Sequence, residues 1–161
     1  MIILGVDPGT ATTGWGAVKK SKNVLELVDY GIITTNPKQS TGERLAKLYK
    51  GIYALHKRLK PDVLVVEKLF FFKNLKTALP VSEARGVILL AAAQQKIRVV
   101  ELTPLQIKMG ICGYGRADKK QIQKMVKEIL GLEKIPKPDD AADGLAAAIC
   151  GAHNSQQIGP R

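Results

Sequence analysis

Short apolar segments separated by turn residues fill the first 34 residues of the chain, and this pattern predicts β-strands. The segments cover residues 2–7, 13–19 and 24–34. Gly14 and Gly16 keep one side of the second segment small. Because the connections between the segments are of hairpin length, the three strands are expected to form an antiparallel meander.

The spacing of apolar residues changes after residue 40, where Ser40 and Glu43 form a capping-box pattern. Leucines and isoleucines then recur every three or four residues, which predicts a helix ending before Pro61. The continuous apolar run at 63–66 predicts a strand covered on both faces, and this strand ends at Glu67.

The remainder of the chain predicts one more strand and four further helices. In order, the segments are a loop at 68–77, a helix at 81–95, a strand at 97–102, a short helix opened by Thr103-Pro104, and helices at 118–131 and 139–154. No repeat or long linker interrupts them, so residues 1–161 are predicted to form a single domain. The order predicts an α/β fold in which a mixed sheet of five strands carries helices on both faces.

Charge and composition narrow the possible functions. The chain has 25 Lys plus Arg against 14 Asp plus Glu, and its net charge of +11 favours a polyanionic partner such as nucleic acid. Its apolar runs are shorter than the roughly 18 residues of a membrane span, and its start lacks a signal-peptide pattern. A cytoplasmic protein without membrane association is therefore expected.

The few cysteines and histidines do not indicate a metal site. Cys112, Cys150 and His153 lack a fourth ligand at a spacing that suits zinc, so both cysteines are expected to be buried thiols. His56 lies between Leu55 and Lys57 in the first predicted helix and is expected at its surface.

Four carboxylates stand where an acidic side chain is costly unless something pairs with it. Asp7 ends the first apolar strand and Glu67 ends the fourth, while Asp140 and Asp143 share one face of an alanine-rich helix. If the first and fourth strands are parallel neighbours, Asp7 and Glu67 lie at the same sheet edge. The last helix, crossing that edge, would add the other two acids.

The four carboxylates would repel one another, and bound cations would relieve that repulsion. Carboxylate oxygens favour hard divalent ions, Mg²⁺ above all. Two ions sharing a carboxylate would activate a water and stabilise the leaving oxygen of a phosphodiester. Taken singly, the acids have structural explanations, because Asp7 suits a turn and Asp140 suits a helix N-terminus. Their joint placement favours a metal site.

Four motifs occur in order along nearly the whole chain: Ile3-Leu4-Gly5-Val6-Asp7-Pro8-Gly9-Thr10, Glu67-Lys68-Leu69-Phe70 with Lys73-Asn74, Ala84-Arg85-Gly86, and Asp140-Ala141-Ala142-Asp143-Gly144-Leu145-Ala146. Together they resemble the RuvC-type Holliday junction resolvases, which are crossover junction endodeoxyribonucleases with a ribonuclease-H-like fold. The first motif alone also opens the sugar kinase and actin-like ATPases. The resemblance implies that Asp7, Glu67, Asp140 and Asp143 are catalytic and bind two Mg²⁺ ions per subunit, with Mn²⁺ able to substitute.

The same resemblance assigns roles to basic and aromatic residues. Lys108 and Lys119 stand where catalytic lysines are expected, with Lys120 as the alternative to Lys119. An ammonium there would neutralise charge developing on the phosphate; the alternative is a grip on backbone phosphates or a solvated helix face. Phe70, the first of three consecutive phenylalanines, matches an aromatic that probes opened base pairs. The other DNA-binding candidates are Lys68, Lys73, Asn74 and Arg85.

The implied function is hydrolysis, by metal-activated water, of phosphodiesters in two opposed strands of a four-way DNA junction. The products carry 5′-phosphate and 3′-hydroxyl ends, and the reaction serves recombination and repair. One alternative is a related nuclease acting on RNA or RNA–DNA hybrids. The other is a non-catalytic junction-binding protein, and the presence of all four acids argues against this second alternative. A nucleotide-binding ATPase would need a second domain, for which 161 residues leave no room.

Symmetric cutting requires two active sites, so a homodimer is expected. The helix at 81–95 is apolar around more of its circumference than one sheet face requires, and it is the candidate interface, with Leu89 and Leu90 toward the partner. The alternative is that this helix is buried within its own domain. The resemblance also implies a branch-migration complex of the RuvAB type as a partner.

Overall fold

The structure is a computed structural model that describes residues 1–22, 24–68 and 75–153. Within these ranges, five strands and five helices follow one another. They are β1 (Ile2–Asp7), β2 (Thr12–Ser21), β3 (Val24–Thr34), α1 (Thr41–Leu59), β4 (Val63–Glu67), α2 (Leu75–Gln94), β5 (Arg98–Leu102), α3 (Pro104–Cys112), α4 (Lys119–Ile129) and α5 (Asp139–His153).

The strands form one mixed sheet in the order β3-β2-β1-β4-β5. The pairs β1–β2 and β2–β3 are antiparallel, and the pairs β1–β4 and β4–β5 are parallel. The predicted meander, the parallel neighbours β1 and β4, and the mixed five-stranded sheet are therefore confirmed. Strand β1 lies at the centre, which places its last residue beside both a hairpin partner and a crossover partner.

Two apolar cores cover the two faces of the sheet. One forms between the sheet and α3, α4 and α5, and the other between the sheet and α1 and α2. Because side chains alternate along a strand, residues 3, 5 and 7 of β1 and residues 63, 65 and 67 of β4 point to the α5 face. This parity directs both strand-end carboxylates toward α5.

Helix α5 lies unusually close to the backbone of β1 and β2. A Cβ added at Gly5 would stand 2.2 Å from the backbone oxygen of Gly144, and one at Gly144 would stand 2.6 Å from the Cα of Trp15. Gly14 is tighter still, since an added Cβ would lie 1.8 Å from the backbone oxygen of Asp140. Glycine on both surfaces thus lets the helix approach the sheet, and the start of α5 is fixed over the end of β1.

Helix α2 begins earlier than its sequence pattern predicts. It starts at Leu75 rather than at residue 81, and Pro80 lies inside it. The expectation of a loop at 68–77 is therefore wrong for its last three residues. Proline removes one backbone hydrogen bond but can be accommodated within a helix, so Pro80 did not mark the helix start.

His56 is buried rather than exposed, with 2% of its surface accessible. Its Nδ1 lies 2.9 Å from the Gln95 side-chain nitrogen at the end of α2, while its Nε2 has no hydrogen-bond partner among the described residues. The expectation of a surface histidine is wrong because α2 covers this side of α1. Cys150 is buried as expected, whereas Cys112 is only half-buried. Among the described helices, none is long and apolar enough to span a membrane.

Candidate active site

The carboxyl ends of two parallel strands bring the first two acids together. Asp7 is the last residue of β1 and Glu67 is the last residue of β4, and the pairing of Val6 with Val66 places both at one sheet edge. Asp7 is also paired with Gly14 in the β1–β2 ladder. Since the backbone carbonyl of Asp140 lies directly over Gly14, the start of α5 is held next to Asp7.

Three acids converge at this point. One carboxylate oxygen from each of Asp7, Asp140 and Asp143 can be chosen so that all three lie within 4.8 Å of one another. Glu67 is outside this triad but lines, together with Asp7 and Asp143, a cavity of about 310 Å³. The structure therefore brings together all four acids that the sequence predicted as a cluster.

In the cluster, burial and the repulsion between the acids outweigh the attraction of the nearby lysines. Burial, and then the charges of Glu67, Asp143 and Asp140, raise the pKa of Asp7 to about 8. Burial and the charge of Asp143 raise the pKa of Glu67 to about 7. Burial also raises the pKa of Asp143. Proximity of like charges in a partly desolvated site keeps protons on these groups, and a cation would displace them.

Two lysines reach the same cavity from two different helices. Lys108 comes from α3 and Lys119 is the first residue of α4. The Lys119 Nζ lies 3.0 Å from an Asp143 carboxylate oxygen. Burial lowers the pKa of Lys119, but the hydrogen bond to Asp143 and its charge outweigh burial and raise it. The structure thus places Lys119 at the cluster through this ion pair, although its side chain is 51% exposed. The side chain of its neighbour Lys120 is exposed as well.

An N-cap fixes the start of each of the two helices that carry these lysines. Thr103 caps α3 in a capping box with Gln106, and Asp118 caps α4 in a capping box with Gln121. Such reciprocal bonds fix the first turn of each helix. Lys119 follows its cap directly, so its backbone position is defined by that interaction.

The remaining DNA-binding candidates are not grouped at the cavity in the described ranges. Lys68 is exposed directly after Glu67, and its backbone N–H donates to the Leu102 carbonyl. Arg85 on α2 forms an ion pair with Glu101 on β5. Phe70, Lys73 and Asn74 lie outside the described residues.

Sequence reasoning missed the apolar wall of the site. Pro104 and Ile107 of α3, Ile122 of α4 and Ala146 of α5 line the cavity beside the acids. The signal that could have found it is the set of apolar residues on each of these helices. Apolar walls reduce the access of water to the acids, consistent with the burial that raises their pKa values.

The donor set fits a hard divalent cation. Carboxylate oxygens from three side chains lie close enough to share one ion, and oxygen ligands suit Mg²⁺ and similar ions. The raised pKa values point the same way, because an acid cluster built to remain without cations would need more basic partners than the one ion pair, between Lys119 and Asp143, that the described residues form there.

Comparison with known proteins identifies the family. The sequence profile described as "Crossover junction endodeoxyribonuclease RuvC" matches residues 3–151. A protein of Chloroflexus aggregans (strain MD-66 / DSM 9485) with the same name is 54% identical over 158 residues, which cover 98% of this chain and 96% of the relative.

Solved structures agree with the sequence matches. The Thermus thermophilus RuvC structure has a TM-score of 0.89 at 30% identity, covering 98% of this chain and 97% of that chain. A structure of T. thermophilus RuvC in complex with Holliday junction substrate has a TM-score of 0.88 at 28% identity, covering 98% and 96%. The predicted ribonuclease-H-like fold is thereby confirmed, and the chain belongs to the RuvC family of crossover junction endodeoxyribonucleases.

Proposed function

We propose that the acid cluster at the end of β1 is where this Holliday junction resolvase hydrolyses its phosphodiesters, one in each of two opposed strands of a four-way DNA junction. The observation that carries the proposal is the convergence of Asp7, Asp140 and Asp143 within 4.8 Å. Two lysines line the same cavity, in a chain of net charge +11. Acids that can hold cations, set in a basic protein, suit a polyanionic substrate cut by metal-assisted hydrolysis.

Each residue of the site has a separate task in this proposal. Asp7, Glu67, Asp140 and Asp143 hold two Mg²⁺ ions, for which Mn²⁺ can substitute. When bound, the ions supply Lewis-acid chemistry, favouring deprotonation of the attacking water and neutralising phosphate charge. Lys108 and Lys119 place ammonium groups beside the scissile phosphate and stabilise negative charge that develops there. Attack at phosphorus leaves 5′-phosphate and 3′-hydroxyl ends.

A substrate comparison tests the proposal. Wild-type protein should cut a four-way junction with Mg²⁺ and should cut linear duplex and RNA–DNA hybrid far more slowly. Asp7→Asn should lower the junction-cleavage rate by on the order of 10³-fold while leaving junction binding nearly unchanged, because binding rests mainly on phosphate contacts.

Asp139→Asn is the matched control for this experiment. Asp139 begins the same helix, but it pairs with Lys137 and lies outside the acid triad, so its loss should leave cleavage nearly unchanged. Wild-type cleavage by Asp7→Asn would overturn the assignment of the site. Preferential cutting of RNA–DNA hybrid would overturn the assignment of the substrate. Ca²⁺ should support binding with little cleavage, owing to its looser coordination.

We also propose that the chain acts as a homodimer through α2. One chain carries a single set of the four acids, and cuts at symmetric positions require two such sets. Among the residues of α2 whose exposure the structure describes, the exposed ones recur at four- and three-residue spacing: Leu79, Glu83, Gly86, Leu90 and Ala93, with Gln94 also exposed beside Ala93. Leu79 is 72% exposed and Leu90 is 52% exposed. This spacing produces one continuous stripe, the pattern by which two helices pack against each other.

A charge on that stripe should separate the dimer. Leu90→Glu should yield a folded monomer in sedimentation, and it should reduce coordinated cutting of the two strands. Val24→Glu is the control, because Val24 is also an exposed apolar residue, at 58%, but lies on β3. A wild-type protein that remains monomeric on junction DNA while cutting both strands together would contradict the proposal.

We further propose where in the cell the protein acts and with which partner. We place the protein in the cytoplasm, where it would act in recombination and DNA repair with a branch-migration complex of the RuvAB type. Residues 1–161 would function as a single nuclease domain.

A further inference from the structure

We propose that the outer side of α3, together with Tyr114, binds a nucleotide of the cleaved strand, with the tyrosine ring stacked on its base. Three large apolar side chains are exposed there: Leu105 at 60%, Met109 at 50% and Tyr114 at 54%. This inference rests on the proposed function, because it assigns a further contact to the same DNA substrate.

The three side chains belong to one surface. Leu105 and Met109 are four residues apart on α3 and therefore neighbours on its surface. The chain then turns at Gly113, whose N–H donates to the Met109 carbonyl and whose φ is +67°. Gly115 returns against the helix, since a Cβ added to it would lie 2.5 Å from Leu105 Cδ1 and 3.6 Å from Met109 Sδ. The backbone beside Tyr114 thus lies against this side of α3.

The position of this surface relates it to the scissile phosphate. Pro104, Ile107 and Lys108 of the same helix line the cavity that contains Asp7 and Glu67. A nine-residue helix is about 13 Å long, so the surface lies close to the cavity. At about 3.4 Å of duplex rise per nucleotide, this length corresponds to about four nucleotides. A strand cut at the acid cluster would therefore pass within reach of this surface of α3.

The surrounding charge favours nucleic acid as the occupant. Lys108 lies between Leu105 and Met109 in the helix, and Arg116 and Lys120 are exposed just after Tyr114. Cations of this kind suit phosphates, whereas an aromatic ring with aliphatic neighbours suits the face of a base. In a junction, bases at the crossover are available for stacking in a way that bases inside a continuous duplex are not.

Binding measurements with Ca²⁺ in place of Mg²⁺ test the inference without cleavage. Tyr114→Ala should weaken binding to a four-way junction by about tenfold, within the range expected for one lost base–aromatic stack, and Tyr114→Phe should restore it. The slope of log affinity against log salt should not change in Tyr114→Ala, because no phosphate contact is lost. Arg116→Gln is the control, and it should reduce that slope by about one.

A second measurement locates the stacked base. 2-Aminopurine placed at successive positions beside the cut should be quenched at one of them by wild type and by Tyr114→Phe, but not by Tyr114→Ala. Junction binding by Tyr114→Ala that equals wild type would overturn the inference, as would an equal loss on linear duplex. A change in sedimentation of the DNA-free protein would instead identify the surface as a protein–protein contact. Wild-type protein that fails to bind junctions at all would contradict the proposed function itself.

Discussion

The two faces of the sheet are covered by helices of similar apolar composition but are packed in opposite ways. On one face, every residue of α5 from Gly144 to Ala152 is buried, and the glycines beneath it leave no room for a Cβ. On the other face, α2 leaves Leu90 half exposed, and a Cβ added at Gly86 would meet nothing within 4 Å. We call the α5 side of the sheet the closed face, because the helix is buried there, and the α2 side the open face, because part of the helix is exposed.

The difference in packing matches the part that each helix has in the acid site. The acid triad depends on the position of Asp140 and Asp143 relative to Asp7, so α5 must be held without slack against β1 and β2. Helix α2 carries no member of the triad, and its outer side is exposed at Leu79 and Leu90. Close packing transmits any displacement of α5 directly to the site, because interiors have few voids to absorb it.

A methyl group placed under α5 should have the largest effect. Gly14→Ala puts its Cβ against the backbone of Asp140, which cannot rotate away, so the start of α5 must shift. We expect a loss of about 4 kcal/mol in the free energy of unfolding, measured in urea, together with loss of cleavage. Gly42→Ala in α1 meets open space and should instead stabilise by about 0.5–1 kcal/mol. Equal stability of the two variants would show that the closed face has slack.

Removing one acid should change the free energy of unfolding by an intermediate amount, and it should raise this free energy where Gly14→Ala lowers it. In the metal-free protein the pKa of Asp7 is raised from 3.8 to about 8. As pH rises through that window, the unfolded chain releases a proton that the folded state retains, so the folded state loses stability. Asp7→Asn removes this cost and should raise the free energy of unfolding by several kcal/mol at pH 8 with a chelator present.

Added Mg²⁺ provides the second arm of that experiment. It should stabilise wild type, because a ligand that binds only the folded state shifts the unfolding equilibrium, and it should do so much less for Asp7→Asn. Thermal unfolding across pH 5–9 gives both readings. Metal-free wild type that becomes more stable between pH 5 and pH 8 than the variant would contradict the raised pKa of Asp7.

Acid should disturb the open face by a smaller amount. Burial lowers the pKa of His56 from 6.5 to about 4. The folded protein therefore excludes a proton that the unfolded chain accepts, and stability falls as pH decreases below 6.5 toward 4. We expect a loss of about 2 kcal/mol from pH 7 to pH 5 that is missing in His56→Gln. His153→Gln, at the exposed end of α5, should retain the loss.

Sequence patterns predicted the closed face better than the open one. The acid cluster was predicted from local chemistry: Asp7 and Glu67 at strand ends, the apolar run at 63–66, and the spacing of Asp140 and Asp143. The small side at Gly14 was visible too, but only the structure shows that the Asp140 carbonyl occupies it. The start of α2 was not predicted because proline is typical of the first turn of a helix, whereas Pro80 lies inside α2.

Contacts between distant segments explain what the local patterns did not predict. His56 resembles a surface residue beside Lys57, and it is buried because α2 packs over α1. The ion pair of Arg85 with Glu101 joins a helix to a strand, and no local pattern reports it. The triad itself was predicted as a group, but its apolar wall was not, since core and site residues share the same helical stripe.

The acid cluster also has an order of assembly. Asp7 is translated before Asp140 and Asp143, because those two acids belong to α5. This helix can dock on β1 and β2 only after residues 139–153 have left the ribosome. A nascent chain that has already formed the β1–β2–β3 meander thus has strand ends but no triad. At the cleavage site proposed above, cutting would become possible only once α5 has completed the triad.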